Sequence, residues 1–223
     1  MDGQKPHLYY WKIRGLGALV NMAFEAAGVR DYKQTEYTPE TAQQWFGTDK
    51  PGLKAVLPNL PFLIDGAVKI SEHEAVFRHV LRKYKPELLG RNVDEQAEVD
   101  QFITFWAKAN MKLRTFCYSP EAKEATEEAR KARIDEFKPQ LTSIDNSLVS
   151  RKFTMGENLT GADLFLFETY WMMKVMHRPT AESYSNIKRV AGNVEQEEWF
   201  KAYRASERWH EQLNGPTAHI NNI

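Results

Sequence analysis

The strongest constraint on the fold is a change of hydrophobic period at Lys85-Pro86. Before it, strand-length runs alternate with helical ones. After it, every patterned segment has helical spacing. Residues 7 to 13 are aromatic and β-branched, as a buried strand requires. Leu16, Leu19, Val20, Ala23 and Ala27 then share one helical face, and Gly28 supplies a stop. Residues 32 to 37 alternate as a second strand. Thr38-Pro39-Glu40 reads as a capped helix start. The prolines in 53–61 demand irregular backbone. Phe62-Leu63-Ile64 and Val68-Lys69-Ile70 flank Asp65-Gly66, a strong hairpin signal. Ser71 precedes Glu72, His73 and Glu74, which reads as a capped helix with acidic residues in its first turn.

Beyond residue 86, residues 94 to 118 form one long helical pattern, ended by Ser119-Pro120. Residues 121 to 149 read as a second helix with a charged face. Thr160-Gly161-Ala162-Asp163 resembles a capping box before an apolar helix. Shorter helices are expected over 181–191 and 194–205, and a loose tail after Gly215. The expected architecture is a βαβαββα unit over residues 1–86 and an all-helical domain over residues 87–223.

Composition narrows the function. The 223 residues carry a formal net charge of +0, which argues against nucleic acid and anionic membrane as partners. Cys117 is the single cysteine, so no intrachain disulfide can form. Residues 1–6 are polar and lack the apolar stretch of a secretory signal, and no apolar run reaches membrane-span length. A cytoplasmic protein is the expectation. No glycine-rich phosphate loop and no His/Cys metal spacing appears.

Four segments carry a family resemblance. Leu8-Tyr9-Tyr10-Trp11-Lys12-Ile13-Arg14-Gly15-Leu16 resembles the opening of mu-class glutathione transferases. So do Leu57-Pro58-Asn59-Leu60-Pro61-Phe62-Leu63-Ile64-Asp65-Gly66, Cys117-Tyr118-Ser119-Pro120-Glu121, and Gly156-Glu157-Asn158-Leu159-Thr160 leading to Asp163. They occur in order over about residues 7 to 205. The resemblance implies a thioredoxin-like first domain that binds reduced glutathione as co-substrate, a helical second domain, a homodimer and no metal.

It also implies roles for particular residues. The nucleophile of such chemistry is glutathione's thiolate, and a positioned hydroxyl donor lowers the thiol pKa. Tyr10 matches the tyrosine that does this. Leu60-Pro61 matches a cis-proline position beside the ligand's cysteinyl unit, with Asn59 adjoining it. Trp11, Trp45 and Lys50 match contacts to the glycyl end. Glu72 and His73 open the third helix, where a helix N-terminus holds the γ-glutamyl carboxylate. Met111 and Tyr118 match the wall facing a hydrophobic electrophile. Leu57, Arg78 and Asp100 match dimer-interface positions, Leu57 standing where the family carries an aromatic residue. Cys117 reads as a buried apolar residue.

Two departures stand out. His73 replaces a small hydroxyl. Lys108 falls where the family places an acidic residue that reaches the ligand's ammonium across the dimer. Like charges a few ångströms apart cost on the order of 1–4 kcal/mol in a partly screened site. The reading implied first is conjugation of glutathione to hydrophobic electrophiles. The alternative is a non-catalytic binding or structural subunit of a larger assembly. Glutathione-dependent isomerisation or peroxide reduction on the same site is a third reading.

Overall fold

A computed structural model describes residues 5–221. Of the N-terminal stretch read as polar, residues 1–4 lie outside that range, as do residues 222 and 223 of the tail. Strand β1 (His7–Trp11) leads through a tight turn into helix α1 (Gly17–Ala26), and β2 (Lys33–Tyr37) follows. A run of short helical turns, from Pro39–Thr41 to Lys50–Gly52, leads to the hairpin of β3 (Phe62–Asp65) and β4 (Val68–Ile70). Helix α2 (His73–Tyr84) closes the unit. The sheet order is β2-β1-β3-β4; β2 runs parallel to β1, and β3 and β4 are antiparallel to their neighbours. The expected βαβαββα order is therefore present. The boundary expected at 86/87 falls at the start of a short turn, Pro86–Leu89.

The second part is helical. It comprises α3 (Val93–Cys117), α4 (Glu127–Asp135), α5 (Lys138–Ser147), α6 (Gly161–Ser183), α7 (Ser185–Gln196) and α8 (Glu198–Arg204). The single helix expected over 121–149 is corrected to three pieces. Pro120 opens a tight turn, Pro120–Glu124. The Thr126 side chain accepts from Ala129 N at 3.2 Å and caps a fresh helix, and Pro139 sits in the first turn of α5. The helix expected over 181–191 is likewise shifted. Helix α6 continues to Ser183 across a break at His177, where φ is −158° and ψ is 98°, two residues before Pro179. Among the described residues, no helix is long and apolar enough to cross a membrane.

Two of the three expected helix starts, Thr160 and Ser71, have contrasting caps. Asp163 accepts from Thr160 N at 2.8 Å, Thr160 Oγ1 at 3.0 Å and Thr154 N at 2.6 Å, completing the predicted capping box in a fully buried setting. Ser71 behaves differently: its hydroxyl donates to Leu57 O, and Glu72 becomes the residue that opens α2. The predicted Ser71 cap is thus a tether for the 53–61 segment instead.

Helix α1 is buried on every face, including Asn21 and Glu25. Its periodicity implied one apolar face, but α6 and α8 also pack against it. Its polar side chains are satisfied: Tyr32 donates to Asn21 Oδ1 at 3.0 Å, and Arg208 donates to Glu25 Oε1 at 3.0 Å. The C-terminal segment that supplies Arg208 is held against the fold, and the tail expected to be loose after Gly215 is held as well. Arg14 N donates to Gln212 O at 2.9 Å and Gly15 N to Leu213 O at 3.1 Å, so the tail runs beside the β1–α1 turn. Asn214 is fully buried and donates to Ile220 O at 2.9 Å, and His219 N donates to Cys117 O at 2.8 Å. These backbone groups find partners within the fold rather than in water, which holds the segment in place.

A buried carboxylate fixes the hairpin to α2. Asp65 accepts from Lys83 at 2.6 Å, from Tyr84 at 2.9 Å, and pairs with His79 at 2.9 Å. Burial alone would raise its pKa, but these hydrogen bonds outweigh burial and hold the carboxyl below the usual aspartate range. The resulting stabilisation is complete above the unfolded-state value of about 4 and is lost as pH falls through the lower native value. Melting temperature measured against pH should therefore fall more steeply below about pH 4 in the wild type than in Asp65→Asn. Parallel acid limbs would contradict this assignment.

Candidate functional site

Tyr10 sits near the end of β1 and is 6% exposed. Its ring lies under the turn that follows, and its hydroxyl oxygen accepts from Leu16 N at 2.7 Å. Burial pushes its pKa up, while the Arg114 guanidinium and the Leu16 N–H pull in the opposite direction. The phenol is therefore neutral at physiological pH. With its oxygen already accepting a hydrogen bond, its own proton is free to be donated. The turn must contain glycines for this to happen. Gly15 has φ +43°, and a Cβ at Gly15 or Gly17 would overlap the Tyr10 side chain. Gly17→Ala should displace the ring and lower any Tyr10-dependent turnover on the order of tenfold. A steady-state assay with unchanged turnover would show that the close approach is not needed.

Tyr10 lines a cavity of about 950 Å³. Trp11 and Ile13 from β1 and its turn, Tyr118 from the end of α3, and Trp209 from the tail form its apolar wall. Tyr118 is 38% exposed, and its hydroxyl accepts from Gly215 N at 2.6 Å, so the tail and the end of α3 close one side together. His210 bridges to Glu36 of β2, with Nε2 2.5 Å from Oε1. The cavity thus lies between the sheet, α3 and the tail.

Of the remaining candidates, Trp11 and Tyr118 share the cavity wall with Tyr10, while Trp45, Lys50, Asn59, Leu60, Pro61, Glu72 and His73 are not among the residues that line it. β1 pairs with β3 at Tyr9 and Phe62, and β3 pairs with β4 at Leu63 and Ile70. Both ladders end there, so Leu60-Pro61 directly precedes β3 and Glu72 closely follows β4. The Leu60-Pro61 bond is cis. Glu72 is exposed with φ +67° and ψ 109°, a conformation costing a non-glycine residue of order 1–3 kcal/mol and concentrated at ligand-holding positions. His73 is half-buried; burial, opposed by Glu74 and aided by Arg114 and Arg78, lowers its pKa, so it is neutral near pH 7.

Trp45 is 2% exposed and packs with Tyr37, Leu53 and Phe62, with Trp11 and Leu60 against the same cluster. Lys50 is half-buried and Asn59 exposed. Met111 is exposed on α3 and is not part of the cavity wall, and Lys108 is exposed one turn earlier. Arg78 donates to Asp100 at 3.1 Å and to Glu74 at 3.0 Å within the chain, and Leu57 lies exposed beside Val56. Cys117 is fully buried, and burial pushes its thiol pKa up to about 11, which removes it as a nucleophile.

Three features escaped sequence reasoning: the buried Arg114, the tail wall, and an Arg14–Glu168 ion pair at 2.6 Å. Arg14 and Glu168 are 2% and 1% exposed. A charged residue inside an apolar helical stretch was the available signal for Arg114 and Glu168. Nothing local marked the tail.

Residues 109–207 match the family model described as "Glutathione S-transferase, C-terminal domain". Glutathione S-transferase Mu 1 of Homo sapiens is 28% identical over 207 residues, covering 91% of this chain and 91% of that protein. The chain is a homologue of the mu-class glutathione S-transferases. The class-mu 26 kDa isozyme 51 of Fasciola hepatica is 27% identical, covering 91% of this homologue and 89% of that protein. A glutathione S-transferase of Tyrophagus putrescentiae is 29% identical, covering 97% of each chain. The crystal structure of the glutathione S-transferase Blo t 8 superposes with a TM-score of 0.80 at 19% identity, covering 97% of this chain and 100% of that one. The homologue therefore has the glutathione S-transferase fold, a small four-stranded sheet with helices followed by a helical domain.

Proposed function

We propose that this protein is a glutathione transferase that binds reduced glutathione and conjugates it to hydrophobic electrophiles, using the Tyr10 hydroxyl to stabilise the thiolate. The observation that carries this reading is the Tyr10 hydroxyl itself. It stands at the wall of an open cavity, with its oxygen accepting from Leu16 N and its proton available. A phenol in that state donates to a sulfur anion and favours it over the thiol. Glutathione would lie along the sheet end formed by Trp11, Leu60 and Glu72, with His73 at the start of α2 and Trp45 and Lys50 at the glycyl side. The electrophile would occupy the apolar wall near Trp11, Tyr118 and Trp209.

Conjugation then has a simple balance. The sulfur's electron pair forms the new S–C bond, and the leaving group or π-electron pair of the electrophile accepts the displaced charge. The homologues named above support the transferase activity. Exposed Val56 and Leu57 support a homodimer built through the 53–61 segment.

The test is retention on immobilised glutathione followed by an assay with a chromogenic electrophile. Retention with glutathione-dependent turnover is expected. A folded protein that shows neither would overturn the reading.

A further inference from the structure

Of the charged side chains lining the cavity among the described residues, Arg114 alone is buried, at 6% exposure. Its Nη1 donates to Leu213 O at 2.9 Å and to Asn214 Oδ1 at 2.6 Å, and its Nε donates to Asn110 Oδ1 at 3.3 Å. All these acceptors are neutral. Its Nη2 is buried with no partner among the described residues. A buried guanidinium without a counter-charge is unfavourable unless something supplies the anion. Such groups concentrate at functional sites for that reason.

We propose that Arg114 is a second thiolate stabiliser, a fixed buried cation whose field holds the thiol of bound glutathione ionised alongside Tyr10. This rests on the transferase reading above. The step is an ionisation: the S–H bond breaks, the electron pair stays on sulfur, and the proton leaves to solvent. An opposite charge held on a buried group nearby favours the anion.

The surrounding groups leave this field uncancelled. Lys12, Glu40 and Glu211 border the cavity but are exposed, so solvent screens them. His210 is closed on Glu36, and Glu168 of α6 is closed on Arg14. His73 of α2 is neutral near pH 7, as is Cys117 on the same helix as Arg114. The field also reaches the right place: Arg114 is the largest influence opposing the burial-driven rise of the Tyr10 pKa.

The same guanidinium anchors the tail, so charge and anchoring must be separated. The apparent pKa of bound glutathione's thiol would be titrated by thiolate ultraviolet absorbance in wild type, Arg114→Met, Arg114→Gln, Arg114→Lys and Asn214→Ala. Asn214→Ala loosens the same tail anchor while keeping the charge. The neutral substitutions should raise the thiol pKa by about one unit, about tenfold less thiolate at neutral pH. Lysine and Asn214→Ala should leave it near the wild-type value. Arg114→Gln keeps a polar contact to the tail and serves if the Met variant does not fold. A thiol pKa unchanged in the neutral variants, or shifted as far in Asn214→Ala, would overturn the proposal. A wild-type protein that binds no glutathione would instead overturn the transferase reading beneath it.

Discussion

Tyr10→Phe should lower turnover with glutathione and a chromogenic electrophile by about a hundredfold or more, while leaving glutathione affinity within a few-fold of wild type. The reason is geometric. The ring fills the space beneath Gly15 and Gly17, and phenylalanine fills it equally well, so the fold loses only one hydrogen bond, from Leu16 N. On the proposed mechanism, what disappears is the O–H that donates to the thiolate. Removing one preorganised donor to a reacting anion costs about 10²–10³ in rate. The pH dependence provides an independent check. With the donor gone, the inflection assigned to the bound thiol should move up toward the free-thiol value of about 8.5. A variant with wild-type turnover and an unmoved inflection would remove Tyr10 from the mechanism.

The largest expected effect on stability belongs to the Arg14–Glu168 pair. Arg14 sits between two indole rings, its guanidinium 4.8 Å from the Trp171 centroid and 4.5 Å from that of Trp209, and donates to Glu168 at 2.6 Å. It therefore joins the β1–α1 turn, helix α6 and the tail at one point. Arg14 Nε and Glu168 Oε2 have no partner among the described residues, so the pair already sits close to the limit of what its hydrogen bonds offset. Removing either partner leaves an uncompensated buried charge, which costs about 3–5 kcal/mol. For a chain of this length that corresponds to a fall in melting temperature of about 10 °C. Arg14→Met and Glu168→Leu should each show this loss, and the double variant should recover most of it, because the apolar pair leaves no charge behind. Thermal melts of the three variants decide the matter. Additive losses in the double variant would mean that the two groups are not coupled.

Much of the fold was legible in the sequence. The Asp65-Gly66 hairpin, the switch to helices after Pro86, the Thr160–Asp163 capping box and the long α3 all came from contacts within a few positions. Side-chain period, turn chemistry and capping are local interactions, and local interactions are written in neighbouring residues. The same locality explains the misreadings. The 121–149 segment keeps helical spacing throughout, yet Thr126 and Pro139 restart it. Ser71 has cap chemistry but spends its hydroxyl on Leu57 O, fourteen positions away.

The cavity divides along the same line. Tyr10, Trp11 and Tyr118 lie in segments that carry the family resemblance, and all three line the cavity. The tertiary structure alone decided that residues 209–212 and 215–217 of the tail line the cavity, that Arg14 finds Glu168 154 positions away, and that Arg114 meets Leu213 and Asn214 at separations of 99 and 100. A charge in a helix has the same local pattern whether it ends in water or in a cavity. Its energy depends on which distant segments exclude the solvent and which counter-charges they bring, and chain folding settles both.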